Sequence, residues 1–430
     1  MAKAYDRVSW SYLCILMRKM GFCEVWIDMI FRHISSNWYS LIVNGIRQDF
    51  FKSERGLTQG DPIYPSLFIL CVEFLSKKLN DLNNRANFTG FYMNKHGPII
   101  NYLAFADDII LFSSGCRYSL VLLMQTLSKY ESISGQQINK DKSVLAVAPN
   151  AQPEEVNRVM RITGINHKQF PIKYLGCPLY VGRKKISIFS EMIQKVVSKI
   201  SGCQTKFLST GGKVVLIKNV QMAIHTHLLA AIHPPKGVVV QIEKMLARFL
   251  WSGTIDKRKC HWAAWDSLCL PYNERGANIR NMQDICNDFT SKQWWNLRTG
   301  NSLWKMFCMS KYCQKSHPVI KNWYSGHSQS WHAMCLIKDS IDHHILWKVG
   351  RGDIAFWLDN WTDLSPLYKF LPAGTRPKNN KISEMIQQGQ WMLEDWDRFL
   401  PEDVIECIHS FNTILQHDIP DRPIWNLSDQ

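Results

Sequence analysis

Leu103, Ala104, Phe105, Ala106, Asp107, Asp108, Ile109, Ile110, Leu111 and Phe112 form one run in which two adjacent acids interrupt an otherwise apolar stretch. The pattern predicts a strand that goes in, turns at the acids and returns, because short apolar runs bounded by turn residues read as strands. Strands this apolar are expected to be buried, and burying a carboxylate pair without compensation is costly. Bound divalent cations are one compensation. An ordinary exposed hairpin turn is the alternative.

Working outward, Asn44-Gly45 lies between the apolar runs Tyr39–Val43 and Ile46–Phe51, a strong hairpin signal because both residues tolerate positive φ. Trp10, Leu13, Met17 and Met20 recur at helical spacing and stop at Gly21. From Pro65 a helix carries Leu67, Leu70, Cys71, Phe74 and Leu75 on one face, and another runs through Leu120, Leu123, Leu127 and Tyr130. Ile186 to Ile200 is amphipathic, with Phe189, Ile193, Val196, Val197 and Ile200 opposite Lys195 and Lys199. Residues 1–180 therefore read as mixed α+β, and the stretch after them as mostly helical.

The segment Arg55-Gly56-Leu57-Thr58-Gln59-Gly60-Asp61-Pro62 precedes the Pro65 helix. Its glycines permit close backbone approach, and Gln59 offers both a donor and an acceptor. By turn chemistry alone it is a loop before a helix.

The chain has 430 residues, 46% of them hydrophobic, and a formal net charge of +15. It is long enough for two or three domains. The charge suits a protein that neutralises phosphates, although ribosome-associated and membrane-surface proteins are also basic. Thirteen cysteines occur without a CxxC pair, which argues against a disulfide framework and a zinc ribbon. Val214 to Ile232 is interrupted by Lys218, Asn219, Gln221, His225 and His227, and so is too polar to span a bilayer. An intracellular protein, nuclear or cytoplasmic and not secreted, is the expectation. Of seventeen tryptophans, only Trp10, Trp26 and Trp38 precede Trp251, which places a boundary near Trp251 to His261, at the basic run Lys257-Arg258-Lys259. Core is the expected role for most of the remainder.

Ala4-Tyr5-Asp6-Arg7-Val8, Arg55 to Pro62, Phe105-Ala106-Asp107-Asp108 and Tyr174-Leu175-Gly176 occur in the order and spacing of reverse transcriptase palms. The chain resembles the reverse transcriptases of non-LTR retrotransposons, most closely the plant LINE-type elements. Ser134-Gly135 with Asn139, Lys142 and Ser143 looks like the motif that follows the metal-binding hairpin there, and Gly211-Gly212-Lys213 looks like the thumb. Gly352 to Trp361 matches the tryptophan-rich region beyond it.

The resemblance implies a right-hand polymerase palm with an antiparallel sheet over residues 1–180, a helical thumb over 181–255 and a mostly helical tryptophan-rich region over 256–430. It implies an RNA template and DNA primer paired as an RNA/DNA duplex, with dNTPs as substrates. Asp107 and Asp108 would be catalytic and hold Mg²⁺ or Mn²⁺ on the triphosphate and the primer end. Tyr5 would be the gate that rejects a 2′-hydroxyl. Gln59 and Gly60 would line the nascent base pair, Lys142 would contact the triphosphate, and Tyr174, Leu175 and Gly176 would support the primer end.

One departure stands out. The third metal ligand of such palms precedes the gate tyrosine by five residues, a place this sequence does not reach, and the fingers are not seen either. Asp6 follows the gate, and strand alternation turns it elsewhere, so it reads as structural. The expectation is a polymerase domain inactive alone. The competing readings are a remnant of a retroelement or a non-catalytic nucleic-acid-binding protein. The latter would grip a duplex through Arg183, Lys184, Lys185, Lys195, Lys199, Lys206, Lys213 and Lys218.

Overall fold

The computed structural model describes residues 1–201, 208–254, 259–314, 316–372, 374–393, 399–416 and 418–426. Lys206, Lys257 and Arg258 lie outside the described residues. The architecture is α+β, helices with small antiparallel sheets, in two compact units, Met1–Leu175 and Gly176–Gln430.

In the first unit α1 (Trp10–Lys19) starts where the Ser9 hydroxyl accepts the Tyr12 N–H, and buries Tyr12, Leu13 and Met17. α2 (Glu24–Ser35) adds Ile27, Ile30 and Ile34 to the same core. β1 (Trp38–Val43) and β2 (Ile46–Lys52) pair across Asn44 and Gly45, whose φ values of 50° and 81° are those of the expected two-residue turn. α3 (Tyr64–Asp81) carries Pro65 at its first turn and buries Leu67, Phe68, Cys71, Val72, Leu75 and Leu79. β3 (Phe91–Tyr92) pairs with β4 (Ile99–Ile100), and β5 (Tyr102–Phe105) with β6 (Asp108–Leu111). α4 (Arg117–Ser134) packs Leu123, Leu127 and Tyr130 on that core. α5 (Pro153–Thr163) and β7 (Ile172–Tyr174) complete the unit.

The β5–β6 hairpin corrects one expectation. Its strands are not buried on both faces: Leu103 is 42% exposed and Phe105 64%. In a two-stranded antiparallel ladder only one face meets the core. Here that face carries Tyr102, Ile109 and Leu111, while Leu103, Phe105, Asp108 and Ile110 share the other. Apolar residues on both faces misled the sequence reading, because periodicity cannot say whether a second layer is present.

The second unit opens with β8 (Cys177–Leu179), α6 (Ser190–Ser201), α7 (Thr210–Ala231) and α8 (Lys236–Ser252). Phe189, Val196, Ile217, Leu229, Ile242, Leu246 and Phe249 form their core, and Ile279, Met282 and Cys286 join it from beyond Trp251. Next come α9 (Trp265–Cys269), α10 (Met282–Thr299), α11 (Leu303–Tyr312) and α12 (Gln329–Asp342). Past α12 the chain is no longer mostly helical. It holds β9 (Ile345–Lys348), β10 (Ile386–Gln387), β11 (Gln390–Trp391), the short α13 (Glu402–Ser410) and β12 (Arg422–Trp425). Pro366, Pro372, Pro377, Pro401, Pro420 and Pro423 punctuate that stretch and break helix.

Trp294, Trp331, Trp357 and Trp361 are fully buried, and Trp251, Trp265, Trp295, Trp323, Trp347 and Trp391 pack half-buried on the cores, whereas Trp262 is 85% exposed. Replacing any of the fully buried ones by alanine costs about 3–5 kcal/mol. Among them lies a buried charge cluster. Arg298 Nε donates to Asp342 at 3.0 Å, its Nη2 donates to Asp359, and Asp359 Oδ2 accepts the Ala355 N–H at 2.7 Å. Burial works against the charge on each member. For Asp359 the guanidinium outweighs burial and holds its pKa low, whereas the Asp342 pKa is raised by burial that Arg298 offsets only in part.

Candidate functional site

The segment Ala4–Val8 is where distant parts of the first unit meet. The Leu57 N–H donates to the Tyr5 carbonyl at 2.9 Å and the Gly56 N–H to the Val8 carbonyl at 2.9 Å. On the other side Gln136 Nε2 donates to the Ala4 carbonyl at 3.0 Å and the Ala2 N–H to the Gln137 carbonyl at 2.8 Å. Two glycines are needed for this approach. A Cβ on Gly56 (φ +94°) would sit 2.8 Å from the Asp6 carbonyl oxygen, and one on Gly135 (φ +76°) 2.7 Å from that of Arg7. Trp10 Nε1 donates to the Gly56 carbonyl at 2.7 Å and closes the clamp.

Within this clamp Tyr5 is half-buried and stacks on Phe68 of α3, with centroids 4.6 Å apart and planes 11° from parallel. Residues 4–7 form a turn, so the alternation argument for Asp6 does not apply. Its side chain is exposed, and its backbone lies under Gly56. The Met1 α-amino group donates to the Asp107 carbonyl at 2.7 Å, which sets this segment against the acid turn.

Ala106 (φ 50°) makes that turn possible, with Asp107 half-buried and Asp108 exposed. Neither carboxylate takes part in an ion pair or hydrogen bond among the described residues. Tyr174 lies close enough to feel Asp108: burial raises the pKa of its phenol, and the negative charge of Asp108 raises it further. Leu175 and Gly176 follow with φ of 48° and 78°, a two-residue turn at which the division between the units falls.

The Gln59 loop is held from its edges. Thr58 Oγ1 is shared between the Tyr39 hydroxyl at 2.6 Å and Asn37 Nδ2 at 3.4 Å. Asp61 bonds the His33 ring at 2.9 Å and takes the Ile63 N–H at 3.0 Å. Gln59 and Gly60 themselves are exposed, and nothing lies within 4 Å of a Cβ built on Gly60. Lys142 is also exposed, in a turn where Asn139 Oδ1 accepts its backbone N–H at 3.0 Å. No hydrogen bond or ion pair joins Lys142 to Tyr5, Gln59 or the acids among the described residues. Sequence reasoning missed Phe68 and Gln136; both read only as helix-face and loop residues until the fold aligns them.

Divalent metal is implied by the resemblance. Among the described residues no group of three or more His, Cys, Asp or Glu could hold an ion. Asp107 and Asp108 are carboxylates of the type a divalent ion takes, with water and phosphate oxygens as further ligands. They do not by themselves make a two-ion site.

In the second unit several lysines proposed for a duplex grip are already engaged. Lys184 Nζ donates to the His233 carbonyl at 2.6 Å and its pKa is lowered by burial. Lys195 pairs with Glu191 at 3.4 Å, and Lys218 lies 4.7 Å over the Tyr272 ring.

Residues 1–179 match the reverse transcriptase (RNA-dependent DNA polymerase) family, and with the clamp and acid turn in view this segment is a reverse transcriptase domain of the non-LTR retrotransposon kind. The chain is 30% identical over 228 residues to an Arabidopsis thaliana protein named for ribonuclease H, covering 51% of this chain and 36% of that protein. It is 28% identical over 155 residues to the retrovirus-related Pol polyprotein of the type-2 retrotransposable element R2DM of Drosophila melanogaster, covering 36% of this chain and 14% of that protein. An uncharacterized mitochondrial protein of Arabidopsis thaliana is 43% identical over 67 residues, 16% of this chain and 55% of that protein. The chain thus spans about a third of the first of these relatives. No described helix is long and apolar enough to cross a membrane.

Proposed function

We propose that the first unit is the palm of an RNA-directed DNA polymerase, which receives a DNA primer paired to an RNA template together with a dNTP. The observation that carries this reading is the clamp on Tyr5. It brings residues near positions 5, 56, 107 and 136 into one place, the convergence a nucleotide site needs and a lone exposed turn does not.

In this reading Asp107 and Asp108 hold Mg²⁺ or Mn²⁺, which would neutralise triphosphate charge. Tyr5, backed by Phe68, packs against the sugar and leaves no room for a 2′-hydroxyl. Gln59 and Gly60 face the base pair across an open surface, and Lys142 approaches the phosphates from outside. Tyr174, Leu175 and Gly176 support the primer end, with the helices that follow Gly176 acting as the thumb. Because these residues supply two carboxylates and not three, the chain binds its substrates but does not position two ions for transfer. Positioning is most of such catalysis.

The test is Mg²⁺-dependent binding of dNTP to the chain with a primer annealed to RNA, run beside primer extension. Binding should be lost in Asp107→Ala/Asp108→Ala, and extension should be absent throughout. Mg²⁺-dependent binding that survives the double substitution would remove the acids from the site. Extension abolished by the double substitution would show that a further acid, Asp6 first, completes the ion pair.

A further inference from the structure

We infer that the loop Gly350–Ile354 of the second unit is a backbone site for a phosphate-class oxyanion, filled in this structure by the protein's own Asp421. Four amides converge on that carboxylate. Oδ1 accepts from Gly350 at 2.7 Å and Gly352 at 2.9 Å, while Oδ2 accepts from Asp353 at 2.6 Å and Ile354 at 3.2 Å. Amides that point inward from neighbouring residues form an anion-binding concavity, and the two oxygens of a carboxylate can take all four of these donors. Gly352 makes the concavity, since its φ of +74° is the left-handed conformation that turns neighbouring N–H groups to one side.

Two further features suit an anion. Lys381 Nζ stands 2.7 Å from Asp353, whose hydrogen bond and charge raise its pKa, with Glu384 and Asp421 adding less. Arg351 Nε lies 3.7 Å from the same Asp353, exposed at the rim. Both cations are within a side chain's reach of the loop, and each is only half-buried or less.

The segment that carries Asp421 is held close but packed lightly. A Cβ on Gly350 would fall 2.2 Å from the Ile419 carbonyl oxygen, so the backbone before Asp421 lies directly against the loop. Yet Asp418, Ile419, Pro420 and Arg422 are all exposed, and Ile414 is 78% exposed. This strap is tied by the Asp421 carboxylate, the pairing of β12 with β9, the Gln416 N–H on the Gly350 carbonyl at 3.0 Å, the Asn426 N–H on the His344 carbonyl at 2.8 Å and the Trp425 ring against Trp295. Withdrawal of the strap leaves four oriented donors beside Lys381 and Arg351. Either free phosphate or a phosphodiester of a polynucleotide supplies the oxygens they need, and Asp421 competes with both. This inference is independent of the polymerase reading of the first unit.

The experiment uses the full chain, with Asp421→Ala and Asp421→Asn beside the parent. Inorganic phosphate is titrated at constant ionic strength, and Tm and the amide resonances of Gly350, Gly352, Asp353 and Ile354 are followed. The result expected is a saturable rise in Tm for Asp421→Ala, with shifts confined to those amides, and no such change in the parent. Asp421→Asn keeps the side-chain shape without its charge, so it reports on the loop if the alanine variant does not fold. A second arm replaces phosphate with a short single-stranded oligonucleotide. Shifts of the same amides there assign the phosphodiester as a source, and shifts with inorganic phosphate alone assign the free anion. If neither ligand moves the amides or Tm of either variant more than those of the parent, Asp421 is a structural staple and the inference fails.

Discussion

The ring of Tyr5 lies flat against that of Phe68, although the two residues come from the first turn of the chain and the second turn of α3. A stacked aromatic partner fixes both the tilt and the depth of the Tyr5 ring, so a gate built on Tyr5 inherits its precision from Phe68. Phe68→Leu keeps the core apolar and costs less than about 1.5 kcal/mol if the core repacks around the new side chain. Competition between ribonucleotide and deoxyribonucleotide for Mg²⁺-dependent binding should nevertheless narrow. Undiminished preference for the deoxy sugar in this variant would deny the gate role.

Gln136 is almost completely buried and ties Tyr130 to the Ala4 carbonyl, one residue before Tyr5. Gln136→Leu leaves the buried Ala4 carbonyl without this partner, a loss of about 1–3 kcal/mol, while the Tyr130 hydroxyl keeps its long bond to the Cys71 carbonyl at 3.4 Å. The urea midpoint should fall accordingly. Exchange of the Leu57 amide, which donates to the Tyr5 carbonyl, should accelerate more than that of α5 amides. A fall in midpoint without that local acceleration would show that Gln136 stabilises the unit generally and does not position Tyr5.

Arg298 pairs with two buried aspartates, Asp342 at 3.0 Å and Asp359. Arg298→Met strands both charges in the core, and the loss should be roughly 3–5 kcal/mol in a urea unfolding curve of the second unit. Arg298→Met combined with Asp342→Asn and Asp359→Asn should recover part of that loss. No recovery would mean that the guanidinium acts mainly by packing.

Acid should weaken the second unit through its buried histidines. Burial, and then the nearby Arg298 charge, lower the His317 pKa from 6.5 to about 3; burial and Lys184 lower that of His233 to about 4. Between those values and 6.5 the unfolded chain binds protons that the folded chain refuses, so stability rises with pH across the window and falls on acidification. A melt followed by tryptophan fluorescence should show Tm dropping below pH 6.5, and His317→Gln should flatten part of the slope. An unchanged slope would assign the acid sensitivity elsewhere.

Much of the first unit was legible because its signals are local. Asn44-Gly45 demanded positive φ at both positions and formed the turn expected, and the apolar faces of α3 and α4 followed helical spacing. The openness of the β5–β6 hairpin was not legible, since the same ten residues would suit a strand covered on both faces. The helix expectation past α12 failed because that stretch is organised by single carboxylates. Asp421 collects four backbone N–H groups from as far as 71 residues away, and Asp359 takes the Ala355 N–H.

By itself the sequence determined α1, the β1–β2 hairpin, α3, the β5–β6 hairpin with its acid pair, α4 and the family resemblance, all of which depend on residue types at short spacing. Only the tertiary structure decided that Gly56 and Gly135 close on the Tyr5 segment, that Phe68 stacks on the Tyr5 ring, and that Asp421 fills the Gly350–Ile354 loop. Those relationships are set by which backbones can approach within hydrogen-bond distance, and periodicity along a chain does not encode that.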